Sequence, residues 1–342
     1  MMADILYFYT ETEDSKKYPL LTGVEPSNNL INIDGVDYYM GPLNPEIEGN
    51  KGGNSYVYKL YPMTDYENGI EEPACIIKIS RNKEFYNLKE HKPRTELSQN
   101  QRFRREVSAL QKCKEEHVLD VIEIFDSGNI FIEKEAKNGR KSYLSYPYYT
   151  MEVAESDLKS YMETNFQEIG LEGKISICLD IAKAISGLLS LEYYHRDLKP
   201  DNIFVVNGHF KVGDLGLISK RNEDYEFEKG KYIGPRGWTT PETMNKYLTE
   251  ENGFGDFDVT IDHQSDLFQL GMIFWYIMQG NAPIGELRQE DFKIKRDDIY
   301  SLIHHMLNHS KDRRIKNVGA VITELERIQQ KLVAEKLRGW DI

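Results

Sequence analysis

The chain has 342 residues, enough for two modest domains, and its 43 basic against 56 acidic side chains give a formal charge of −13. That balance argues against general nucleic-acid or anionic-membrane binding, and the longest apolar run, Leu270 to Met278 with Gly271 inside it, is too short for a membrane span. Cys75, Cys113 and Cys178 form no disulfide framework or metal pair, and the N-terminus carries no basic region or small-residue cleavage site, so a reducing, cytoplasmic setting is expected.

Residues 1–45 read as an N-terminal extension, polar and loop-like over 11–30, with a hairpin from Ile31 to Met40 around Asp34-Gly35. From 46 to 80, strand-like runs alternate with turns. Glu48-Gly-Asn-Lys-Gly-Gly-Asn-Ser55 is a glycine-rich turn whose backbone amides can approach a phosphate closely. The strand Ala74-Cys-Ile-Ile-Lys78-Ile-Ser80 places a lysine inside an apolar run, which is costly unless the charge is paired. Glu106 is the natural partner, on a helix predicted over 98–113 from Phe103, Val107 and Leu110. Strands are expected over 118–132 and 143–153. A break falls near Ala154-Glu155, after which the pattern is mainly helical: 156–166, 171–192, 263–279, 297–308 and 316–337. A β-rich first part and a helix-rich second part make an α+β arrangement of two lobes.

The densest chemistry lies at His195-Arg-Asp-Leu-Lys-Pro-Asp-Asn202, followed by a short hairpin and then Asp214-Leu215-Gly216. Asn207-Gly208 is a type I′ turn signal that folds the chain back so that Asn202 and Asp214 face one site. Both offer hard oxygen ligands of the kind Mg²⁺ takes. These segments resemble the H-R-D-x-x-x-x-N loop and a D-F-G variant of protein kinases. The stretch from about 46 to 330 resembles a eukaryotic-type (Hanks-type) serine/threonine protein kinase domain, with a glycine loop like those of bacterial members.

The resemblance implies a bilobal fold, with a β-rich N-lobe over 46–154 and a mainly helical C-lobe over 155–342. It implies ATP as phosphoryl donor, Mg²⁺ (or Mn²⁺) as metal, and a protein substrate. By the same resemblance Asp197 orients the substrate hydroxyl and takes its proton, and Lys199 reaches the transferring phosphate. Lys78 with Glu106 positions the nucleotide phosphates. The loop Gly49, Asn50, Lys51, Gly52, Gly53, Asn54 and Ser55, with Val57, covers those phosphates. Ile76 and the gatekeeper Met151 bound the adenine slot, with the backbones of Glu152 and Ala154 along its edge. Asn202 and Asp214 hold the metal. Every polar position that a non-catalytic relative would lose is filled, and a small-molecule kinase would not carry the segment Gly234–Glu242.

The departures from the family pattern are specific. Registered on Val57, the three loop glycines fall at Asn50, Gly52 and Ser55. Ile76 stands where alanine is usual, Thr240 for another alanine and Phe268 for a tryptophan. Lys199-Pro200 and Leu217 match serine/threonine members, so serine and threonine hydroxyls are the expected acceptors. Pro235 with Trp238 resembles tyrosine kinases and keeps tyrosine or dual specificity as the alternative. Asp266 is expected to hold the backbone of the His195–Asn202 loop, and Glu242 to pair with Arg313 by spacing. The stretch 243–262 reads as an insert. Arg196 calls for a negative partner. No serine or threonine lies between Ser219 and Thr239, so Glu223, Asp224, Glu226, Glu228 or a modified Tyr225 or Tyr232 is expected to supply it.

Overall fold

The structure, a computed structural model, describes residues 6–10, 16–20, 28–43, 55–87, 92–93, 98–135, 139, 141–223, 234–235, 237–252 and 257–338. Gly49 to Asn54, and Asp224, Tyr225, Glu226, Glu228 and Tyr232, lie outside the described residues. The chain forms two compact units: Met1–Ser108 with Glu123–Val153, and Ala109–Ile122 with Ala154–Ile342.

The first unit contains β1 (Leu6–Thr10), β2 (Tyr18–Pro19), β3 (Leu30–Ile33), β4 (Val36–Pro42), β5 (Ser55–Pro62), α1 (Met63–Glu67), β6 (Cys75–Ser80), β7 (Glu84–Asn87) and β8 (Lys92–Pro93). It also holds the first part of α2 (Ser98–Glu115), then β9 (Ile124–Glu135) and β10 (Lys141–Met151). The main path of the sheet is β2-β1-β9-β10-β6-β5-β4-β3, antiparallel throughout, with β7 and β8 branching from β10. Asp34 (φ 48°) and Gly35 (φ 78°) both take the left-handed backbone that a two-residue turn between β3 and β4 needs. The sheet curls enough for Thr10 Oγ1 on β1 to donate to Asn32 O on β3 at 2.6 Å, although neither strand pairs with the other.

That curl encloses one face of the sheet. Phe8, Ile31 and Ile33 from the N-terminal strands pack with Leu60, Ile77, Ile79, Ile130, Ile132, Tyr146 and Tyr148 in a single buried cluster. Side chains alternate along a strand, so β6 turns Ile77 and Ile79 into this cluster and Ile76 and Lys78 to the opposite face. The strands before residue 43 are therefore structural members of the sheet, and they explain why β6 is apolar on both faces.

The second unit begins with the end of α2 and the segment 118–122, the start of the strand expected over 118–132. Its backbone instead makes one bridge, Val121 to Val212, with Ile122 N–H donating to Val212 O and Val212 N–H to Asp120 O, both at 2.9 Å. There follow β11 (Ser156–Asp157), α3 (Leu158–Asn165), α4 (Leu171–Ser190), β12 (Tyr193–Tyr194), β13 (Ile203–Val206), β14 (His209–Val212), β15 (Ser219–Lys220), α5 (Pro241–Asn252), α6 (His263–Gln279), α7 (Asp297–Met306) and α8 (Val318–Leu337). Asp157 caps α3 by accepting Ser160 N–H at 2.7 Å. Helix α6 carries a capping box of Asp262 and Ser265 at its start and Gly280 at φ 77° at its end, and it is buried along nearly its whole length. Residues read as an insert begin with a helix: Thr240 Oγ1 accepts Thr243 N–H, and Pro241 occupies the first position of α5. Among the described residues no helix is long and apolar enough to cross a membrane.

Phe8 is fully buried at the centre of the enclosed face. Phe8→Ala is expected to lower stability by about 3–5 kcal/mol in urea unfolding, whereas Lys16→Ala, which removes an exposed ion pair to Asp37, should change it by less than about 1 kcal/mol.

Candidate active site

The His195–Asn202 segment is held from below by α6. Asp266, fully buried, accepts His195 N–H at Oδ2 and Arg196 N–H at Oδ1, both at 2.8 Å. Burial pushes its carboxyl up to about 7, against the pull of the two N–H donors and the Arg196 charge. One turn on, Gln269 Oε1 accepts Leu198 N–H at 3.0 Å while its amide nitrogen reaches the carbonyls of Arg196 and Trp238. Asp266 acts as the sequence predicts; Gln269 was not foreseen, because a polar residue three positions along a helix carries no motif.

His195 joins this segment to the next one. Its Nδ1 accepts Asp197 N–H at 3.2 Å, so the ring proton sits on Nε2 and is donated to Gly213 O, also at 3.2 Å. Full burial depresses its pKa to about 4, which keeps this neutral tautomer in place through the physiological range. Gly213 N–H in turn donates to Asn202 O at 2.9 Å. The β13–β14 register, Ile203 opposite Val212, and the left-handed turn at Asn207 (φ 51°) and Gly208 (φ 76°) bring Asn202 and the Gly213-Asp214 corner together. Gly213 has no room for a side chain: a Cβ would lie 2.8 Å from both Ile122 Cγ1 and Phe204 Cε2. Asp214 itself is exposed, at φ 52° and ψ 64°.

Asn202, nearly buried, donates its side-chain amide to Asp197 O at 2.8 Å and to Asp197 Oδ2 at 2.9 Å. The donor end is thereby committed to Asp197, and Oδ1 is the end that can ligate a cation. Lys199 Nζ stands 3.6 Å from Asp197 Oδ2. Burial raises the Asp197 carboxyl to about 6; the Lys199 charge opposes the rise and Asp214 adds to it. The arrangement is a half-buried carboxylate with one oxygen held by an amide and a lysine beside it, next to a second, exposed carboxylate.

The remaining candidates lie on the first unit. Lys78 Nζ meets Glu106 Oε1 at 2.8 Å, both largely buried, and Tyr149 Oη donates to the same oxygen at 3.0 Å. The Tyr149 ring packs on Phe103 of α2 with centroids 5.5 Å apart. On the sheet Val57 lies opposite Lys78, and Met151 opposite Ile76. Directly opposed residues share a face, so Val57, Ile76, Lys78, Tyr149 and Met151 line the face turned away from the apolar cluster. Ser55 opens β5 and is buried. Glu152 N–H donates to Glu123 O at 3.0 Å, and its carboxylate accepts Glu123 N–H at 2.8 Å. The division between the two units falls after Val153, so Ala154 opens the second.

One expected partner is corrected. Glu242 pairs with Arg314, at 2.7 Å, and not with Arg313. Arg313 is exposed, whereas Arg314 turns inward, donates to the carbonyls of Gln264, Asn308 and His309, and lies over the Phe268 ring, 5.0 Å from its centroid. Phe268, the replacement for tryptophan, thus serves as the platform for this buried pair. Arg196, at φ 67°, donates from Nε to Leu217 O at 2.6 Å and from Nη2 to Ile218 O at 3.5 Å, just past Asp214. Pro235 is buried, and its carbonyl accepts from Trp238 N–H and Thr239 Oγ1, both at 3.2 Å.

Comparison with known proteins accords with this geometry. The family model described as "Protein kinase domain" matches residues 74–336. Human serine/threonine-protein kinase MRCK beta is 30% identical over 105 residues, covering 30% of this chain and 6% of that protein. Serine/threonine-protein kinase WNK of Caenorhabditis elegans is 28% identical over 193 residues, 55% of this chain and 9% of its own. The RAF proto-oncogene serine/threonine-protein kinase of Xenopus laevis is 27% identical over 193 residues, 56% of this chain and 26% of its own. The chain therefore spans about a quarter or less of the length of these relatives.

The Glu242–Arg314 assignment is tested by substitution. Arg314→Ala leaves a buried carboxylate unpaired and should cost about 3–5 kcal/mol in chemical denaturation, while Arg313→Ala should stay within about 0.5 kcal/mol.

Proposed function

The chain belongs to the protein kinase domain family, and on that premise we propose that it transfers the γ-phosphoryl group of ATP to serine or threonine hydroxyls of protein substrates. The observation that carries this reading is the Asp197 carboxylate, fixed by Asn202 at one oxygen, with Lys199 Nζ beside it. One Asp197 oxygen is held in place while the carboxylate takes the hydroxyl proton. As that proton leaves, the hydroxyl oxygen bonds to the γ-phosphorus and the bond to the β-phosphate oxygen breaks. Lys199 supplies positive charge where the transferring group becomes more negative. Lys78, oriented by Glu106 and Tyr149, would hold the nucleotide phosphates from the sheet face that also carries Val57, Ile76 and Met151.

A divalent metal fits the donor set. Asn202 Oδ1 and the exposed Asp214 carboxylate are hard oxygens, and among the described residues no group of three His, Cys, Asp or Glu forms a fuller cage. This suits Mg²⁺, or Mn²⁺ in its place, since Mg²⁺ takes one or two carboxylates and completes its shell with water and substrate phosphates. Held by Asn202 and Asp214, such a metal would supply positive charge beside the phosphates.

Serine/threonine preference rests on Lys199-Pro200 and Leu217, and on relatives whose names specify that class. Pro235 with Trp238 supports tyrosine as the second reading. The Arg196 guanidinium already donates to the carbonyls of Leu217 and Ile218, which supports activity without serine or threonine phosphorylation of the loop that follows.

Labelled-phosphate transfer to generic proteins by material made in a kinase-free extract, followed by phospho-amino-acid analysis, tests all three points. Phosphoserine and phosphothreonine are expected; phosphotyrosine alone would favour the second reading, and no transfer would defeat the first. Asp197→Asn should lower turnover by about 10²–10⁴-fold. Only ionised Asp197 accepts a proton, so kcat/KM should be full above, and fall below, a pH of about 6. A profile flat down to pH 4 would remove Asp197 from that role.

A further inference from the structure

We propose that Glu84, acting through Asn100 and Arg104, is a positioning residue for the Lys78–Glu106 pair, an inference that rests on the phosphoryl-transfer reading above. Glu84 opens β7, is buried, and lies opposite Ser145 of β10 in the sheet. Its Oε1 accepts Asn100 Nδ2 at 2.7 Å and its Oε2 accepts Arg104 Nη2 at 2.8 Å. Both donors stand on α2, the helix that carries Glu106. The carboxylate thus ties the first two turns of that helix to the sheet.

Asn100 is the hub. It is fully buried, and both ends of its amide are engaged: Nδ2 reaches Glu84 Oε1 and Asn82 O (2.9 Å), and Oδ1 accepts Ser80 Oγ at 2.6 Å. Ser80 Oγ in turn accepts Asn82 N–H at 3.1 Å. Two donors and one acceptor on a four-atom side chain are available from asparagine and from no acid or apolar residue of its size. Ser80 ends β6, the strand that carries Lys78, and Glu84 opens β7, so the network connects the lysine's own strand and the strand after it to the helix bearing its partner.

The geometry separates this network from the ion pair itself. Asn100 and Arg104 are one turn apart and share a helix face, while Glu106 projects from a different one. At its own level Glu106 is met by Lys78 and Tyr149. Helix α2 is therefore held at two heights, and the Glu84 network fixes its rotation before any ligand arrives. With the network broken, Glu106 keeps Lys78 and Tyr149, but the start of the helix loses its tie to β6 and β7, and Glu106 is freer to leave Lys78.

The test uses the full chain with Asn100→Asp, which sets two carboxylates face to face, and Glu84→Gln/Asn100→Asp, which exchanges acid and amide between the same two positions. Ser80→Ala is the milder variant if Asn100→Asp does not accumulate. In nucleotide-free protein, amide hydrogen exchange over residues 101–110 should quicken by about tenfold or more in Asn100→Asp and fall part of the way back in the exchange variant, which restores the bond between positions 84 and 100 but leaves Asn82 O without its donor. The KM for ATP should rise by a similar factor with the KM for protein substrate unchanged, and should recover in part in the exchange variant. A variant that only melts at lower temperature, with wild-type exchange in this helix and wild-type KM for ATP, would overturn the proposal. A wild-type protein that transfers no phosphate would defeat the kinase reading, yet the exchange measurement would still decide whether Glu84 positions the helix.

Discussion

From inside a helix buried almost end to end, Asp266 accepts the main-chain N–H groups of His195 and Arg196, and the chemistry of the second unit hangs on those two bonds. Burying a carboxylate costs several kcal/mol unless its oxygens are satisfied, and a pair of fixed N–H donors is what satisfies them here. With His195 placed, its ring holds Asp197 N–H on one side and Gly213 O on the other. Gly213 then fixes the backbone of Asn202, and Asn202 fixes the Asp197 carboxylate. His195, Arg196, Asp197, Asn202 and Gly213 are thus positioned through one chain of bonds anchored at Asp266.

The first unit solves a different problem, which is to hold a lysine charge on a sheet that is apolar on both faces. One face is enclosed by the N-terminal strands, which bring Phe8, Ile31 and Ile33 over Ile77 and Ile79. The other face presents Lys78, whose burial is tolerable because Glu106 and Tyr149 meet it from helix and sheet. Enclosure of the first face packs Ile77 and Ile79 of β6 in the core, and their neighbour Lys78 is turned to the other face. Fold and site are coupled by strand alternation.

Much of this was legible in the sequence where the signal was local. The octapeptide His195–Asn202, the Asn207-Gly208 turn and the lysine within an apolar strand each carry their signal in a few adjacent residues, and the structure shows Asn202 bonded to Asp197, left-handed backbone at the turn, and Lys78 paired with Glu106. Contacts between distant residues were harder to read. Nothing near Asn100 or Gln269 announces a partner, because each is one polar helix residue among others and its spacing marks no motif. Choosing Arg313 over Arg314 was a one-residue slip, and in a tight turn one residue decides between solvent and core. Thr240-Pro241 falls inside the segment Gly234–Glu242, and a capping threonine followed by proline makes that segment run into a helix. The apolar character of both faces of β6 was a visible hint that residues before 43 would join the sheet, but strand pairing at such separation has no local mark.

Phosphoryl transfer by Asp266→Asn tests the role of this anchor most directly. Asparagine keeps the size of the side chain but offers one accepting oxygen where two N–H groups must be met, so the loop loses its anchor while the helix stays packed. The predicted result is a folded protein that retains its thermal shift with ATP and Mg²⁺ and transfers phosphate about 100-fold or more slowly than wild type. Transfer at the wild-type rate by a folded Asp266→Asn protein would contradict it.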